Sequence, residues 1–286
     1  MTGSPDPAAE DIWRPSPSPV LLHQPEAQLV GLIVLTSIVF LAFPGIDLWF
    51  SGLFFATGGF LVTHLQAFVA VRDFHRDLTA IVVIVGLLVL LIKLLWPRRK
   101  SLLRPRDVYF ILLTLAVGPG VITNLVFKNN WGRPRPFTVD VFGGPNPFVG
   151  IWQISDYCKS NCSFISGEAS SAAWALTLAV LVPPRWRKAA LTGLAIYAVT
   201  ISLNRIAFGA HFLSDVLFAW WVTLLVVMLF YRLLYVSPPA RITNQRMEED
   251  LTRSGLQMRQ GLAMLVDRVR GKGSDDAPPP ADSDRS

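Results

Sequence analysis

Residues 191–231 read "LTGLAIYAVTISLNRIAFGAHFLSDVLFAWWVTLLVVMLFY". Two apolar runs flank the polar junction "NRIAFGAHFLSD", residues 204–215, which holds Arg205, His211 and Asp215. A run of about 20 apolar residues is long enough to cross roughly 30 Å of hydrocarbon. Ionisable groups beside such runs are costly to desolvate, so they usually face a cavity or each other. The stretch therefore reads as two spans joined by a functional turn.

Working outward, the same pattern recurs. The chain has 286 residues, 52% of them apolar and only 16% charged, too apolar for an ordinary soluble domain. Spans are expected at about 28–44, 79–97, 107–127, 165–183, 189–204 and 212–235. The fold class is therefore all-α, a polytopic bundle of six transmembrane helices over residues 28–236. A seventh stretch, 46–70, is apolar but broken by glycines, Asp47 and His64. It reads as an interfacial or re-entrant segment, with a true span as the alternative. "GPG" at 118–120 lies inside the third span and predicts a kink.

The net charge of +6 does not point to nucleic acid, because the cations bracket the spans. "PRRKSLLRPR" (97–106) and "PPRWRK" (183–188) fall on one side of a six-span bundle. Lys and Arg in short loops mark the cytoplasmic side. Both termini are then cytoplasmic, and the 46–78, 128–164 and 205–211 connections are external. Cys158 and Cys162, in "YCKSNC", fall in an external loop, where a local disulfide is expected and two free thiols are the alternative. Residues 1–27 read as a flexible cytoplasmic arm without a cleavable signal peptide. The tail, 237–286, is expected to be cytoplasmic. Apolar residues at helical spacing over 244–270 suggest an amphipathic helix on the inner membrane face or against a partner. A weakly structured helix is the alternative there. Oligomeric state is not legible.

Three polar clusters fall at external span ends: "KNNWGRPRP" (128–136), "CSFISGEASSAAW" (162–174) and the 204–215 junction. Lys128, Arg133, Arg135 and Arg205 suit an anion, since a guanidinium fork matches phosphate oxygens. Ser166 and Gly167 sit at a helix start, where free N–H groups and the helix dipole also favour an anion. His211 and Asp215, four apart, share a face if the last helix has begun by His211. An Asp that accepts the Nδ1–H of a His leaves Nε2 free to attack. Glu168 can handle a proton.

Each piece alone is common: a flanking Arg is usually an interfacial anchor, and His–x3–Asp is often a cap. The ordered set resembles the type 2 phosphatidic acid phosphatase family, whose signature is Lys–x6–Arg–Pro, Pro–Ser–Gly–His and Ser–Arg–x5–His–x3–Asp. Lys128 to Arg135–Pro136 fits the first part, and Arg205, His211 and Asp215 fit the third. The resemblance implies a metal-independent, cofactor-free membrane phosphatase acting on lipid-linked phosphate. His211 would form a phosphohistidine and Asp215 would orient it. Lys128, Arg135, Arg205 and the Ser166 and Gly167 amides would bind the phosphoryl oxygens. Arg133 does not match the spacing, so Arg133→Lys is expected to be milder than Arg135→Lys. The chain departs from the signature at Asn204, Ile165 and Glu168, the last standing where the family has a second histidine thought to protonate the leaving group. Candidate substrates include undecaprenyl pyrophosphate, phosphatidic acid, phosphatidylglycerol phosphate and lipid A phosphates. The Glu168 variant and the long 128–164 loop lean towards a lipid A phosphatase-like branch in a bacterial inner membrane. The alternatives are a lipid-to-lipid phosphotransferase using the same histidine and a non-catalytic lipid-phosphate binder.

Overall fold

The computed structural model describes residues 25–56, 58–240 and 242–269. Helices dominate: α1 (Pro25–Ala42), the short α2 (Gly45–Gly52), α3 (Gln66–Leu95), α4 (Pro105–Leu115), α5 (Gly167–Trp174), α6 (Pro184–Ala207), α7 (Leu213–Tyr231) and α8 (Asn244–Val269). A two-stranded antiparallel hairpin, β1 (Phe55–Ala56) and β2 (Gly59–Phe60), joins α2 to α3. Among the described residues, five helical segments are long and apolar enough to cross a membrane: Pro25–Ala42, Gln66–Leu95, Pro105–Lys128, Pro184–Ala207 and Leu213–Val236. Their outer faces expose Val34, Ile38, Ile84 and Leu88, as expected where lipid replaces water as the surrounding medium.

The segment expected as a span over 165–183 differs from the other five. It is α-helical over Gly167–Trp174 and then tightens into a 3₁₀-helix over Ala175–Leu181. It is also the most enclosed element, with Ala169, Ser170, Ala172, Ala173 and Trp174 all buried. The small residues among them, Ala169, Ser170, Ala172 and Ala173, let α4, α6 and α7 approach closely. Ser170 is held at 2.7 Å to Thr223 of α7 and 3.0 Å to Thr123, so the interface carries hydrogen bonds as well as packing.

The 46–70 stretch is not a continuous helix. Its first part forms α2 and the hairpin, and its last residues open α3. The kink expected at 118–120 appears as a wide π-helical stretch, Ala116–Lys128, with Pro119 inside it. The Asn124 amide donates to the Pro119 carbonyl at 2.7 Å. π-Helical turns often mark functional sites because they re-aim the side chains that follow, and here the last residue is Lys128.

One end of the bundle carries the 128–166 loop, the hairpin and the α6–α7 turn. The basic loops lie at the other end, where Tyr235, in the π-helical turn that follows α7, donates to Asp107 at the start of α4 (2.6 Å). The helix α8 docks there too. Lys93 of α3 pairs with Glu248 at 2.7 Å, and Gly255 lies so close to α3 that an added Cβ would sit 2.5 Å from the Leu94 carbonyl oxygen. The expected 244–270 helix is thus present up to Val269 and attached to the bundle. The arm expected over 1–27 lies outside the described residues except for its last three, which begin α1, and the end of the tail beyond 269 lies outside as well.

Candidate active site

Four segments converge at one end of the bundle. Lys128 closes the π-helical stretch, Arg135 lies in the following loop, and Ser166 caps α5 ahead of Gly167 and Glu168. Arg205 sits in the last turn of α6, and His211 stands in the turn before α7, outside the helix whose first turn contains Asp215. Gly167 makes a close approach: a Cβ there would lie 3.0 Å from Lys128 Nζ and 3.2 Å from Asn124 Oδ1. Gly209, at φ +64, lets the α6–α7 turn press against Phe60, only 2.4 Å from where a Cβ would stand.

His211 is fully buried. Its Nδ1 donates to the Ser163 carbonyl at 2.8 Å, while Asp215 Oδ2 lies 3.8 Å away. The expected Asp–His bond is therefore replaced by a backbone acceptor, which fixes the same tautomer and leaves Nε2 with its lone pair. The Asp215 carboxylate is occupied instead by the Phe212 amide (2.8 Å), the Ser163 hydroxyl and Arg133. Since Ser163 supplies both the hydroxyl that binds Asp215 and the carbonyl that binds His211, Asp215 orients His211 through Ser163.

The largest departure from expectation is Arg133. It is wholly buried and bridges two carboxylates, Asp215 at 2.6 Å and Asp47 at 2.8 Å. Its Nε donates to the Val149 carbonyl, and its guanidinium lies over the Phe212 ring at 4.4 Å. Asp47 also accepts the Ser214 amide (2.9 Å) and hydroxyl (2.6 Å). Asp47, within a stretch read as merely interfacial, is thus part of the foundation beneath the histidine. Arg133→Lys is therefore expected to be the harsher change, because an ammonium does not reproduce a fork shared by two carboxylates.

Above His211 the geometry is looser. Nε2 lies 3.5 Å from Glu168 Oε2, and Arg205 Nη2 lies 3.5 Å from Glu168 Oε1. Four buried atoms here have no hydrogen-bond partner: His211 Nε2, Glu168 Oε2 and Arg205 Nε and Nη1. Buried polar atoms are almost always satisfied, so a cluster of exceptions calls for an explanation. Arg135 is anchored by three bonds to the Asn161 carbonyl and side chain, 2.8–3.1 Å. Asn161 adjoins the Cys158–Cys162 disulfide, which forms as expected. The Ser166 amide is taken by the Asp215 carbonyl at 3.1 Å and its hydroxyl by the Ala169 amide, so Ser166 acts as a cap. Of the two amides expected to bind phosphate, only that of Gly167, in the first turn of α5, keeps that expectation. A cavity of about 490 Å³ opens beside the cluster, lined by Arg72, Arg135, Arg205, Phe60, Phe137 and Phe208. Arg72 was not singled out from the sequence, where it looks like an ordinary helix-end cation.

Against this geometry, the "PAP2 superfamily" model matches residues 107–238. The chain is 37% identical over 206 residues to a "Lipid A 4'-phosphatase" of Rhizobium leguminosarum, covering 66% of this chain and 87% of that one. The chain belongs to the PAP2 superfamily. A protein of the same printed name from Rhizobium etli is 38% identical over 66% of this chain and 79% of its own length. One from Francisella tularensis subsp. novicida is 32% identical over 72% of this chain and 95% of its own length. No solved structure matches the chain. The superfamily match contains every residue carried over from the signature, Lys128 through Asp215, but stops short of Asp47.

Proposed function

We propose that the protein is an integral-membrane phosphatase that hydrolyses a phosphate monoester of lipid A at the external face of a bacterial inner membrane. The relatives named for the 4′ position support that position as the target. The observation that carries the reading is a set of buried unpaired polar atoms, His211 Nε2, Glu168 Oε2 and Arg205 Nε and Nη1, around a Glu168 carboxylate that lies 3.5 Å from both His211 and Arg205. A phosphoryl group satisfies all of them except the carboxylate, and the carboxylate is the group that moves protons.

In the first step His211 Nε2 attacks phosphorus and the bond from phosphorus to the sugar oxygen breaks. That oxygen leaves as the hydroxyl, taking the proton of the phosphate monoanion by way of Glu168. Lys128, Arg135 and Arg205 stabilise the charge on the equatorial oxygens, the main requirement of phosphoryl transfer. The phosphohistidine keeps its Nδ1–H on the Ser163 carbonyl, which supports the imidazolium. In the second step Glu168 takes a proton from water, the water oxygen bonds to phosphorus, the P–N bond breaks to return neutral His211, and Glu168 passes its proton to the departing phosphate. Glu168 thus serves the leaving-group protonation expected of the missing histidine and also activates the water.

The topology follows from the charge pattern: the basic loops mark the cytoplasmic side, so both ends of the chain face the cytoplasm and the site faces out. The α5 segment makes the sixth crossing despite its brevity. Its 3₁₀ half rises faster per residue, so Gly167–Leu181 covers about 26 Å. The test is phosphate release from bis-phosphorylated lipid A by the purified protein, with product masses locating the phosphate removed. A His211→Ala variant that still releases phosphate overturns the mechanism. Transfer of the label to a second lipid instead of water overturns hydrolysis.

A further inference from the structure

A second cavity, of about 540 Å³, lies at the opposite end of the bundle from His211, between the start of α4, the end of the α5 segment, the start of α6 and the end of α7. Its size is that of a small-molecule site. The walls are apolar, including Phe110, Val180, Leu191, Leu224 and Val227, and the rim carries Arg104, Arg106 and Arg187. We propose that this cavity holds an acyl chain of an anionic phospholipid from the adjoining leaflet, with the lipid phosphate at Arg106. The proposal does not depend on the reaction at His211.

Charge and hydrogen bonding select the occupant. The carboxylate at this rim, Asp107, is already engaged on both oxygens, by Tyr235 at 2.6 Å and Arg104 at 2.8 Å. Arg106 instead stacks over the Tyr235 ring at 4.7 Å. Its Nε is buried and has no hydrogen-bond partner, and Thr177 Oγ1 in the cavity wall is in the same condition. A donor in a cationic rim above an apolar slot matches an amphiphile with a negative head. Water alone would satisfy the donor but not use the slot, and a free anion would leave the slot unfilled. Basic pockets between membrane helices are known to select anionic headgroups on physical grounds, because the rim charge adds to chain burial. Arg187 contributes by bracing the wall, donating to the Ala179 and Val182 carbonyls at 3.3 Å.

The experiment uses the full chain purified in an uncharged detergent. Thermal unfolding is followed with added phosphatidylglycerol, phosphatidylcholine or inorganic phosphate. Phosphatidylglycerol at saturation is expected to raise Tm by about 5 °C, and the other two to leave it unchanged. Arg106→Gln removes the charge and Leu224→Trp fills the slot. Each is expected to abolish the shift while leaving phosphate release at His211 intact. Arg205→Gln, at the other end, is expected to keep the shift. If Arg106→Gln does not fold, Leu224→Trp carries the test alone. An equal shift with phosphatidylcholine, no shift with phosphatidylglycerol, or a shift that survives Leu224→Trp overturns the proposal.

Discussion

The two arginines of "GRPRP" stand two residues apart and do opposite work. Arg133 is fully buried, and each of its nitrogens donates to an oxygen at 2.6–2.9 Å. Arg135 faces the cavity, anchored on one side by Asn161 and open on the other to the pocket it shares with Arg205. The same division runs through the whole site. Beneath His211 the polar groups are satisfied by one another, while above it the contacts lengthen to 3.5 Å and buried atoms go unpaired. On the proposed function, the saturated layer holds geometry and the unsaturated layer binds the phosphate. Polar networks in a low-dielectric interior are costly unless complete, so the completeness of the lower layer is what permits the incompleteness of the upper one.

His211 lies between the layers, and its removal has the largest expected effect. His211→Ala should lose turnover altogether, measured as phosphate release from lipid A, with Tm little changed. Measurable turnover would detach the lower layer from the chemistry.

Next comes the contrast between the arginines. Arg133→Ala leaves Asp47 and Asp215 buried without their counter-ion, a loss of about 3–5 kcal/mol in folding stability, and should lower Tm markedly or prevent folding. Arg135→Ala should leave Tm in place and lower kcat/KM by about 10²–10³-fold, the scale seen when one stabilising donor is removed. Arg133→Lys should be worse tolerated than Arg135→Lys, contrary to the spacing-based expectation. If Tm falls with Arg135→Ala and not with Arg133→Ala, the division into layers is wrong.

Glu168 sharpens the account of the upper layer. Glu168→Gln keeps the shape and removes the proton site, and should lower turnover on the lipid by roughly 10²–10⁴-fold. An aryl phosphate, whose leaving group needs little protonation, should recover part of that loss. Full activity on the lipid would place proton transfer elsewhere.

Much of the upper layer was legible in the sequence, because Lys128, Arg135, Arg205 and His211 match the ordered signature that the chain resembles. The lower layer was not. Asp47 meets Arg133 across 86 residues, and nothing in an apolar segment announces which distant cation will neutralise its one acid. The partner of His211 Nδ1 is a backbone carbonyl, and such a group has no sequence signature of its own. The bundle itself was readable from its apolar runs. The α5 segment was the exception in length, since composition does not say where an α-helix tightens into a 3₁₀-helix.

The smallest expected effect tests how the upper layer is held. Cys158 and Cys162 close a tight loop whose last free position is Asn161, and Asn161 supplies all three bonds that anchor Arg135. The loop is exposed from Lys159 to Asn161 and only Cys162 is buried, so opening it should not unfold the bundle. It should instead free Arg135 to sample more rotamers, and the phosphate must then order it on binding, at about 0.5–1.5 kcal/mol for a side chain of this kind. Cys158→Ser with Cys162→Ser, or reduction of the intact protein, should therefore raise KM by about 2- to 10-fold, with kcat and Tm nearly unchanged. Arg135→Ala should erase the difference between oxidised and reduced protein, because the disulfide then has nothing left to position. If reduction still weakens substrate binding in Arg135→Ala, the loop touches the substrate directly, and the upper layer is wider than the cations that define it.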